Sequence, residues 1–177
     1  MKKAVVVVEN HFMSNAFALF GLPIQFDLNA DVLDQQYFAA QATVHPDAFV
    51  GRSDLEKRIA AQRAVTLNEA YHRLKNNQTR AQEFLKAKNI PIPGAGGTTI
   101  PASALLMEVL DWRERINTGG ALSSLEKELT QRLTHCVAQF DNVTDDKLPY
   151  CYLELTYIQK TLTELTISRQ NNVNSTP

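Results

Sequence analysis

Long apolar runs, cysteine and an excess of basic charge are all scarce in this chain of 177 residues. The longest apolar run, Ala4–Val8, is far too short to cross a bilayer, which needs about 20 apolar residues. It follows two lysines, but it is also too short for the core of a signal peptide, and no cleavage site follows it. A formal net charge of -1 argues against nucleic acid as a partner. We therefore expect a cytoplasmic protein that does not span a membrane.

The two cysteines, Cys136 and Cys151, cannot form a zinc site by themselves, and the sequence contains no CxxC pair. Both fall in segments with helical apolar periodicity, which predicts small buried residues in a reducing compartment. His135 beside Cys136 offers the alternative of a cluster ligand. Adjacent helical residues point in different directions, so this pair is not favoured. We expect no metal site and no cofactor.

The first dozen residues do not fit the rest of the pattern. Four consecutive valines favour an extended strand, whereas a helical pattern begins near Ser14. One interpretation is that Met13 is the true start codon and that residues 1–12 are an upstream extension of the gene model. The alternative is an added edge strand or an anchoring arm.

Between residue 29 and about residue 75 the sequence predicts two helices. Asn29 offers an N-cap for the first helix, whose apolar positions recur at helical spacing: Val32, Leu33, Tyr37, Ala40 and Val44. Ser53 and Glu56 have capping-box spacing at the start of the second, whose apolar positions are Leu55, Ile59, Thr66, Leu67, Ala70 and Leu74. The two helices must pack antiparallel to bury these faces.

The tripeptide His45-Pro46-Asp47 lies between these helices and is followed closely by Phe49. Proline has no N–H and clashes with the carbonyl four residues before it, so the first helix must end here. It also pushes His45 toward an extended conformation. An imidazole and a carboxylate are thereby held on a short exposed loop, which is typical of a docking surface. The alternative is a helix stop with two polar loop residues.

The segment 89–101 concentrates three prolines and three glycines, which predicts a partly ordered linker between two domains. Beyond it, apolar periodicity predicts helices over about residues 102–117, 121–141 and 145–168, lengths that suit an antiparallel three-helix bundle. The polar residues 169–177 are expected to form a disordered tail.

The first helix of this bundle carries apolar residues on two different sectors. One sector contains Leu105, Val109, Trp112 and Ile116, and the other contains Leu106, Met107 and Leu110. Spacing alone would favour core positions for all of them. Two sectors on one helix instead suggest one core face and one partner site, because a protein interface combines an apolar centre with a charged rim.

An enzyme is not expected. The four histidines, at positions 11, 45, 72 and 135, have no Cys, Ser or carboxylate at a catalytic or metal-ligand spacing. His72 fits better as a residue that completes the C-terminal end of a helix.

Several segments resemble the J-domain proteins, and among them the HscB-type co-chaperones of iron-sulfur cluster assembly. The similar segments are the opening helix and turn at Ala16–Pro23, the tripeptide His45-Pro46-Asp47, the end of the third helix at Asn68–Leu74, the next helix at Arg80–Leu85 and the scaffold-binding stretch at Leu105–Glu114. Together they span most of residues 14–168. A general J-domain protein would share only the first part.

This resemblance implies an all-α fold with a J-domain at residues 14–88 and a scaffold-binding bundle at residues 102–168. It implies a non-catalytic co-chaperone that stimulates the ATPase of the DnaK-type chaperone HscA and brings it the scaffold protein IscU. The implied chaperone-binding residues are His45, Pro46 and Asp47, to which we add Arg52 and Lys57 from the basic residues that follow the loop. The implied scaffold-binding residues are Leu106, Met107, Leu110, Asp111, Glu114 and Tyr157.

The charge around the tripeptide departs from this family. J-domains usually carry lysines and arginines on the helix before the tripeptide, but residues 14–48 contain four aspartates and no Lys or Arg, and position 48, usually lysine, is Ala48. The basic charge comes later, with nine Lys/Arg against four Asp/Glu in residues 52–88. Three explanations stay open: a partner with a compensating surface, a binding mode that uses the following helix, or a weakened J-domain. The alternative functions are accordingly a J-domain protein of another pathway and an adaptor that only binds the scaffold.

Overall fold

The computed structural model describes residues 15–95 and 99–174, and every regular element in these ranges is helical. The predicted all-α fold is confirmed. The chain divides into two compact units between Asn89 and Ile90. The predictions of an N-terminal extension and of a start at Met13 fall on residues 1–13, which lie outside the described residues.

The first unit contains four α-helices, which are α1 (Ala16–Leu19), α2 (Ala30–Val44), α3 (Asp54–Lys75) and α4 (Asn77–Ala87) among the described residues, with a 3₁₀ turn at Pro46–Phe49. Asn29 caps α2, because its side-chain oxygen accepts hydrogen bonds from the N–H groups of Asp31 and Val32. Ser53 caps α3 in a complete capping box with Glu56. Both predicted helix starts are therefore confirmed.

Polar pairs tie α2 to α3 at successive levels. The Tyr37 hydroxyl donates a hydrogen bond to Asn68 at 2.6 Å, and the Tyr71 hydroxyl donates to the Asp34 carboxylate at 2.9 Å. The Lys75 ammonium also bonds Asp34, and this bond, followed by the one from Tyr71, lowers the pKa of the Asp34 carboxyl. The partners run in opposite directions along the two helices, which confirms the antiparallel hairpin.

The buried face of the hairpin is narrower than the sequence predicts. Leu67, Ala70 and Leu74 are buried as expected, but Leu55, Ile59 and Thr66 are exposed, so the prediction of one apolar core face along α3 is wrong at these three positions. The core lies near the C-terminal half of α3, where Phe20 reaches the hairpin and α4 begins. The side of α3 that carries Leu55 and Ile59 consequently stays in solvent.

Aromatic rings fill the core of the first unit. Phe17, Phe26 and Phe84 are almost fully buried, and the rings of Phe26 and Phe84 meet edge to face with centroids 6.2 Å apart. The Arg80 guanidinium lies over the Phe26 ring at 4.8 Å. These contacts hold α4 and the segment between α1 and α2 in one core.

The second unit is a three-helix bundle of α5 (Ser103–Thr118), α6 (Leu122–Gln139) and α7 (Leu148–Asn174). Arg115 on α5 pairs with Glu128 on α6 at 3.1 Å, and further along, Arg132 pairs with Glu108. The two helices therefore run antiparallel, as predicted. The core of the bundle contains Leu105, Val109, Trp112, Leu125, Leu129, Ile158 and Leu165.

The last helix extends past the predicted end at residue 168 and reaches Asn174, so the prediction of a disordered tail is wrong for residues 169–174. The Arg169 guanidinium bonds Glu126 at 2.5 Å and Ser123 at 3.2 Å on α6. These bonds give the polar end of α7 tertiary support that its composition alone does not reveal.

Arg132 connects all three helices of the bundle. Its guanidinium bonds Glu108 on α5 and Glu154 on α7, and it lies over the Trp112 ring at 5.3 Å. Partial burial acts to lower the pKa of Arg132, but the hydrogen bonds to Glu154 and Glu108 outweigh it and the pKa is raised. The arginine therefore stays charged and fixes the register of the three helices.

Both cysteines are free and buried, as predicted. The Cys136 thiol donates to the Cys151 carbonyl at 3.5 Å, and burial, the largest cause, raises the pKa of Cys136 to about 12. Such a thiol stays protonated near neutral pH and is a poor nucleophile or metal ligand.

The segment 89–101 contains no α-helix over the residues that the structure describes there, 89–95 and 99–101. Gly94 has a φ of +83° in a turn that Ala95 closes by donating its N–H to the Ile92 carbonyl at 3.1 Å. Over residues 15–95 and 99–174, no helix is long and apolar enough to cross a membrane.

The capping box at the start of α3 gives a prediction for stability. Ser53→Ala should lower the free energy of unfolding by about 1 kcal/mol, because the N–H of Glu56 loses its acceptor. The Glu56 carboxylate in turn accepts bonds from the Ser53 hydroxyl and N–H, and these bonds lower the pKa of Glu56. The stability that these carboxylate bonds contribute is present above the ordinary carboxyl pKa and is lost as pH falls through the lowered value. Urea unfolding at pH 7 and pH 3 measures both effects. Equal stability of the two proteins at pH 7 would contradict this account.

Candidate functional site

The tripeptide forms the exposed corner between α2 and α3. His45 has φ −62° and ψ 137°, the extended conformation that the following proline predicts. Pro46 opens the 3₁₀ turn, and the Ala48 N–H donates to the His45 carbonyl at 3.0 Å. The backbone at the corner is therefore fixed by local bonds before any partner arrives.

The His45 imidazole faces back onto the turn. Its Nδ1 accepts a hydrogen bond from the Asp47 N–H at 3.3 Å, so in the neutral ring the proton lies on Nε2. The Asp47 carboxylate is 3.5 Å from the same Nδ1, and its side chain is 88% exposed. The loop thus presents an accessible carboxylate and an accessible imidazole on one short turn.

The exit from the loop is also constrained. Gly51 has a φ of +79°, a conformation that residues with a Cβ rarely adopt. The Arg52 N–H donates to the Phe49 carbonyl at 3.1 Å, and Ser53 then begins the capping box of α3. Both ends of the tripeptide are consequently attached to helices of defined direction.

The two basic residues that sequence reasoning placed with the loop are already paired locally. Arg52 lies 3.7 Å from Glu56, and Lys57 lies 3.7 Å from Asp54. All four side chains are substantially exposed, so a partner can exchange these contacts at little cost. Arg52 and Lys57 thus follow the loop closely in sequence, and each already has an acidic side chain beside it.

Sequence reasoning missed two apolar features beside the tripeptide. The first is Phe38, which is 66% exposed on α2. The second is a groove of about 680 Å³ between the end of α2, the turn and α3, with Val44, Phe49 and Ala60 among its lining residues. Phe38 lies outside the apolar stripe of α2, and that position was the signal that it would remain in solvent.

On α5 the two predicted apolar sectors separate as expected. Leu105, Val109 and Trp112 are buried in the bundle core. Leu106, Met107 and Leu110 are 45%, 67% and 58% exposed. The second sector is therefore surface and not core, as predicted, and its role as a partner site stays a prediction.

Acidic side chains border this exposed sector. Asp111 and Glu114 are exposed, and Asp111 pairs with Arg115 at 3.7 Å. Glu108 is bound by Arg132. The arrangement is an apolar patch with an acidic rim, in which two of the three acids already have an arginine partner.

Tyr157 lies on α7, and its place beside the same patch stays a prediction. The Arg113 guanidinium pairs with Glu164 at 3.6 Å, and this contact sets the register between the two parallel helices. Leu106 shares a face of α5 with Arg113, and Tyr157 shares a face of α7 with Glu164, in both cases seven residues earlier. Tyr157 is half-buried against the core, so only part of it is available to a partner.

Tyr150, one heptad before Tyr157, is a further aromatic that sequence reasoning missed. It is exposed at the start of α7. Burial of its hydroxyl, followed by the charges of Glu154 and Glu108, raises the pKa of this tyrosine. Its phenol therefore stays neutral at physiological pH.

Comparison with known proteins bears on both units. Residues 102–166 match the model of the HSCB C-terminal oligomerisation domain. The chain is 35% identical over 159 residues to the co-chaperone protein HscB homolog of Paraburkholderia phymatum, covering 84% of this chain and 90% of that protein. The corresponding homolog of Burkholderia thailandensis is 33% identical with the same coverage.

Solved structures give the same architecture. Chaperone HscB from Vibrio cholerae superposes with a TM-score of 0.73 at 28% identity, covering 89% of this chain and 98% of that one. The human co-chaperone protein HscB superposes with a TM-score of 0.75 at 19% identity, covering 88% and 82% of the two chains, and this likeness shows the fold alone. From the curated relatives, which span nearly the whole chain, it follows that this protein belongs to the family of HscB-type co-chaperones of iron-sulfur cluster assembly.

Proposed function

We propose that this protein stimulates ATP hydrolysis by the DnaK-type chaperone HscA and delivers the scaffold protein IscU to it, without catalysing a reaction itself. The observation that carries the proposal is the pairing of two exposed surfaces on one chain. The first is the tripeptide loop with Asp47 in solvent, and the second is the apolar patch of Leu106, Met107 and Leu110. They lie in different compact units, so each can bind its own partner.

The loop can stimulate the chaperone through one charge, the Asp47 carboxylate. An exposed carboxylate on a fixed turn can form a charge-assisted hydrogen bond with an arginine of the chaperone. If that arginine is free only in the ATP-bound state, binding of Asp47 shifts the chaperone toward the conformation that hydrolyses ATP. The His45 Nε2–H adds a hydrogen-bond donor beside this acceptor, and Pro46 keeps both groups in place at low entropic cost.

The bundle supports scaffold binding through burial of apolar surface. Three adjacent exposed apolar side chains on a rigid helix resemble the desolvated centre of an interface. Asp111 and Glu114 at the edge would select a partner with basic residues around an apolar contact. Tyr157 and Tyr150 would extend this contact onto α7.

Carrying both surfaces on one chain has a kinetic consequence. When IscU is bound to the bundle and the loop is docked on HscA, the encounter between IscU and HscA takes place within one complex. The effective concentration of the scaffold near the chaperone then rises without any new contact. Delivery in this sense requires only that both surfaces can be occupied together.

A second candidate function is an adaptor that binds the scaffold but does not stimulate the chaperone. The observation that favours it is the absence of Lys and Arg from residues 14–48, which removes basic steering toward an acidic partner. The two functions differ in whether the loop has any effect on ATP turnover.

The first prediction concerns Asp47. Asp47→Asn should abolish stimulation of the HscA ATPase while leaving folding and IscU binding unchanged, because only one exposed loop charge is removed. The measurement is the steady-state ATPase rate against co-chaperone concentration. The matched control is Asp31→Asn, which removes one exposed carboxylate at the far end of α2. If the Asp47 variant stimulates as well as the wild type, the assignment of the trigger to this residue is wrong.

The second prediction concerns the apolar patch. Replacing Leu106, Met107 and Leu110 together with alanine should raise the Kd for IscU at least about tenfold, as loss of interface anchors does. Helicity and the melting temperature should change little, because all three side chains are exposed. Calorimetric titration and thermal unfolding measure the two effects.

The control for this variant is Leu105→Ala on the same helix. Leu105 is fully buried, so its truncation should cost about 2–5 kcal/mol of stability. A triple variant that melts like the Leu105 variant, or one that binds IscU as tightly as the wild type, would show that the patch is not the scaffold site.

A further inference from the structure

We infer that this protein self-associates through a contact between α3 of one copy and α5 of a second copy, and that IscU competes with this contact. Each surface is a ridge of residues spaced four apart along a helix. Leu55, Ile59 and Arg63 form the α3 ridge, and Leu106, Leu110 and Glu114 form the α5 ridge. The competition rests on the proposed function, because it requires that IscU binds the same face of α5.

The two ridges have the same spacing and opposite charge. Each consists of two aliphatic side chains one turn apart, followed one turn later by a charged residue, which is Arg63 on α3 and Glu114 on α5. Ridges of this spacing are the ones along which helices most often pack, at a crossing angle of about 50°. When the two helices cross in the same general direction, the aliphatic pairs meet and Arg63 lies at the end where Glu114 lies. The two surfaces are therefore complementary in apolar character and in charge.

Both ridges are accessible. Leu55 is 68% exposed and Ile59 is 46% exposed, values close to those of the aliphatic pair on α5. Arg63 and Glu114 are exposed as well, and neither has an ion pair in the part of the chain that the structure describes. Docking of the two ridges therefore buries four aliphatic side chains and pairs two charges without breaking an existing pair.

The charges beside the α3 ridge favour an acidic partner. Arg58 is exposed next to the ridge, and it also has no ion pair among residues 15–95 and 99–174. Glu56 lies in the capping box and 3.7 Å from Arg52, so its charge is already engaged. Glu69 lies six residues beyond Arg63, which is about 9 Å further along the helix. The α3 face thus offers two unpaired arginines beside two aliphatic side chains.

The other charges near the α5 ridge are already paired within the bundle. Asp111 lies 3.7 Å from Arg115, and Arg113 lies 3.6 Å from Glu164. Glu114 therefore keeps an unpaired negative charge at the end of the ridge. A basic and apolar surface such as the α3 ridge matches this face, whereas a second α5 ridge would bring two such carboxylates together.

Self-association through these ridges would hold the scaffold site in reserve. The α5 ridge includes Leu106 and Leu110, which the proposed function assigns to IscU. One α5 helix therefore cannot bind IscU and a second copy at the same time. Binding of IscU releases a copy from the self-associated form, and copies without scaffold return to it.

The first test measures the mass of the full-length protein by sedimentation equilibrium between about 0.01 and 1 mM, the range of weak association. The mass of the wild type should rise above that of a monomer as the concentration increases, and excess IscU should return it to the mass of a one-to-one complex. Raising the salt concentration from about 0.05 to 0.5 M should move the rise to higher protein concentration, because salt screens exposed charges.

Paired charge reversals identify the two surfaces. Arg58→Glu with Arg63→Glu should weaken self-association at least about tenfold, and so should Asp111→Lys with Glu114→Lys. An equimolar mixture of the two variants should associate again, because it contains an unaltered α3 ridge and an unaltered α5 ridge on different copies. Loss in each variant alone and recovery in the mixture cannot come from unfolding.

The matched control is Lys127→Glu with Lys160→Glu. Both lysines are exposed on the bundle, and the change in net charge equals that of the α3 variant. This control should self-associate like the wild type. Circular dichroism verifies that each variant is folded.

Three results would overturn the inference. A wild type that stays monomeric over the whole concentration range has no such contact, and if the α3 variant then binds IscU more weakly, the α3 ridge belongs to the scaffold interface instead. Self-association that survives the α3 reversal would place the contact elsewhere, for example between two α5 ridges. Self-association that excess IscU leaves unchanged would refute the competition.

The proposed function is tested separately, by titrating IscU and HscA with dilute wild-type protein. A monomeric wild type that binds IscU and stimulates HscA would refute this inference and leave the proposed function intact. A self-associating wild type that does not bind IscU would instead refute the proposed function together with the competition.

Discussion

The break that Pro46 puts between α2 and α3 is the constraint on which the first unit depends. Without an N–H at this position α2 must end at Val44, and the chain turns so that α3 packs antiparallel against α2. The Asp34, Tyr37 and Asn68 contacts hold the hairpin, and the capping box of Ser53 fixes the exit from the turn. Asp47 is exposed because it lies at the corner of this rigid hairpin, so the same break that ends a helix also creates the surface proposed to reach the chaperone.

The second unit faces a different constraint, since α5 carries a core face and an exposed apolar face at once. Arg132 fixes α5 against α6 and α7 by bonding Glu108 and Glu154 and covering Trp112. With one sector committed to the core, the exposed sector cannot turn inward without breaking these bonds and unpacking the tryptophan. An apolar patch can therefore persist on the surface of a stable bundle.

The sequence predicts the features that are determined locally. The caps at Asn29 and Ser53, the helix end at Pro46, the antiparallel order of both helix sets and the two sectors of α5 all follow from side-chain chemistry over a few residues. Features determined by distant neighbours are missed. Leu55 and Ile59 fit the apolar period of α3 but find no helix to cover them, and residues 169–174 are polar but gain support from Glu126 on α6.

The central claim is that one chain couples two surfaces to one outcome, the ATP turnover of HscA. The measurement that tests it most directly is the steady-state ATPase rate of HscA with this protein and IscU added separately and together. The account predicts a rise with this protein alone and a further rise, greater than the sum of the separate effects, when IscU is present. No rise in the ATPase rate in either case, with IscU still bound to the bundle, would contradict it. The protein would then bind the scaffold without stimulating the chaperone.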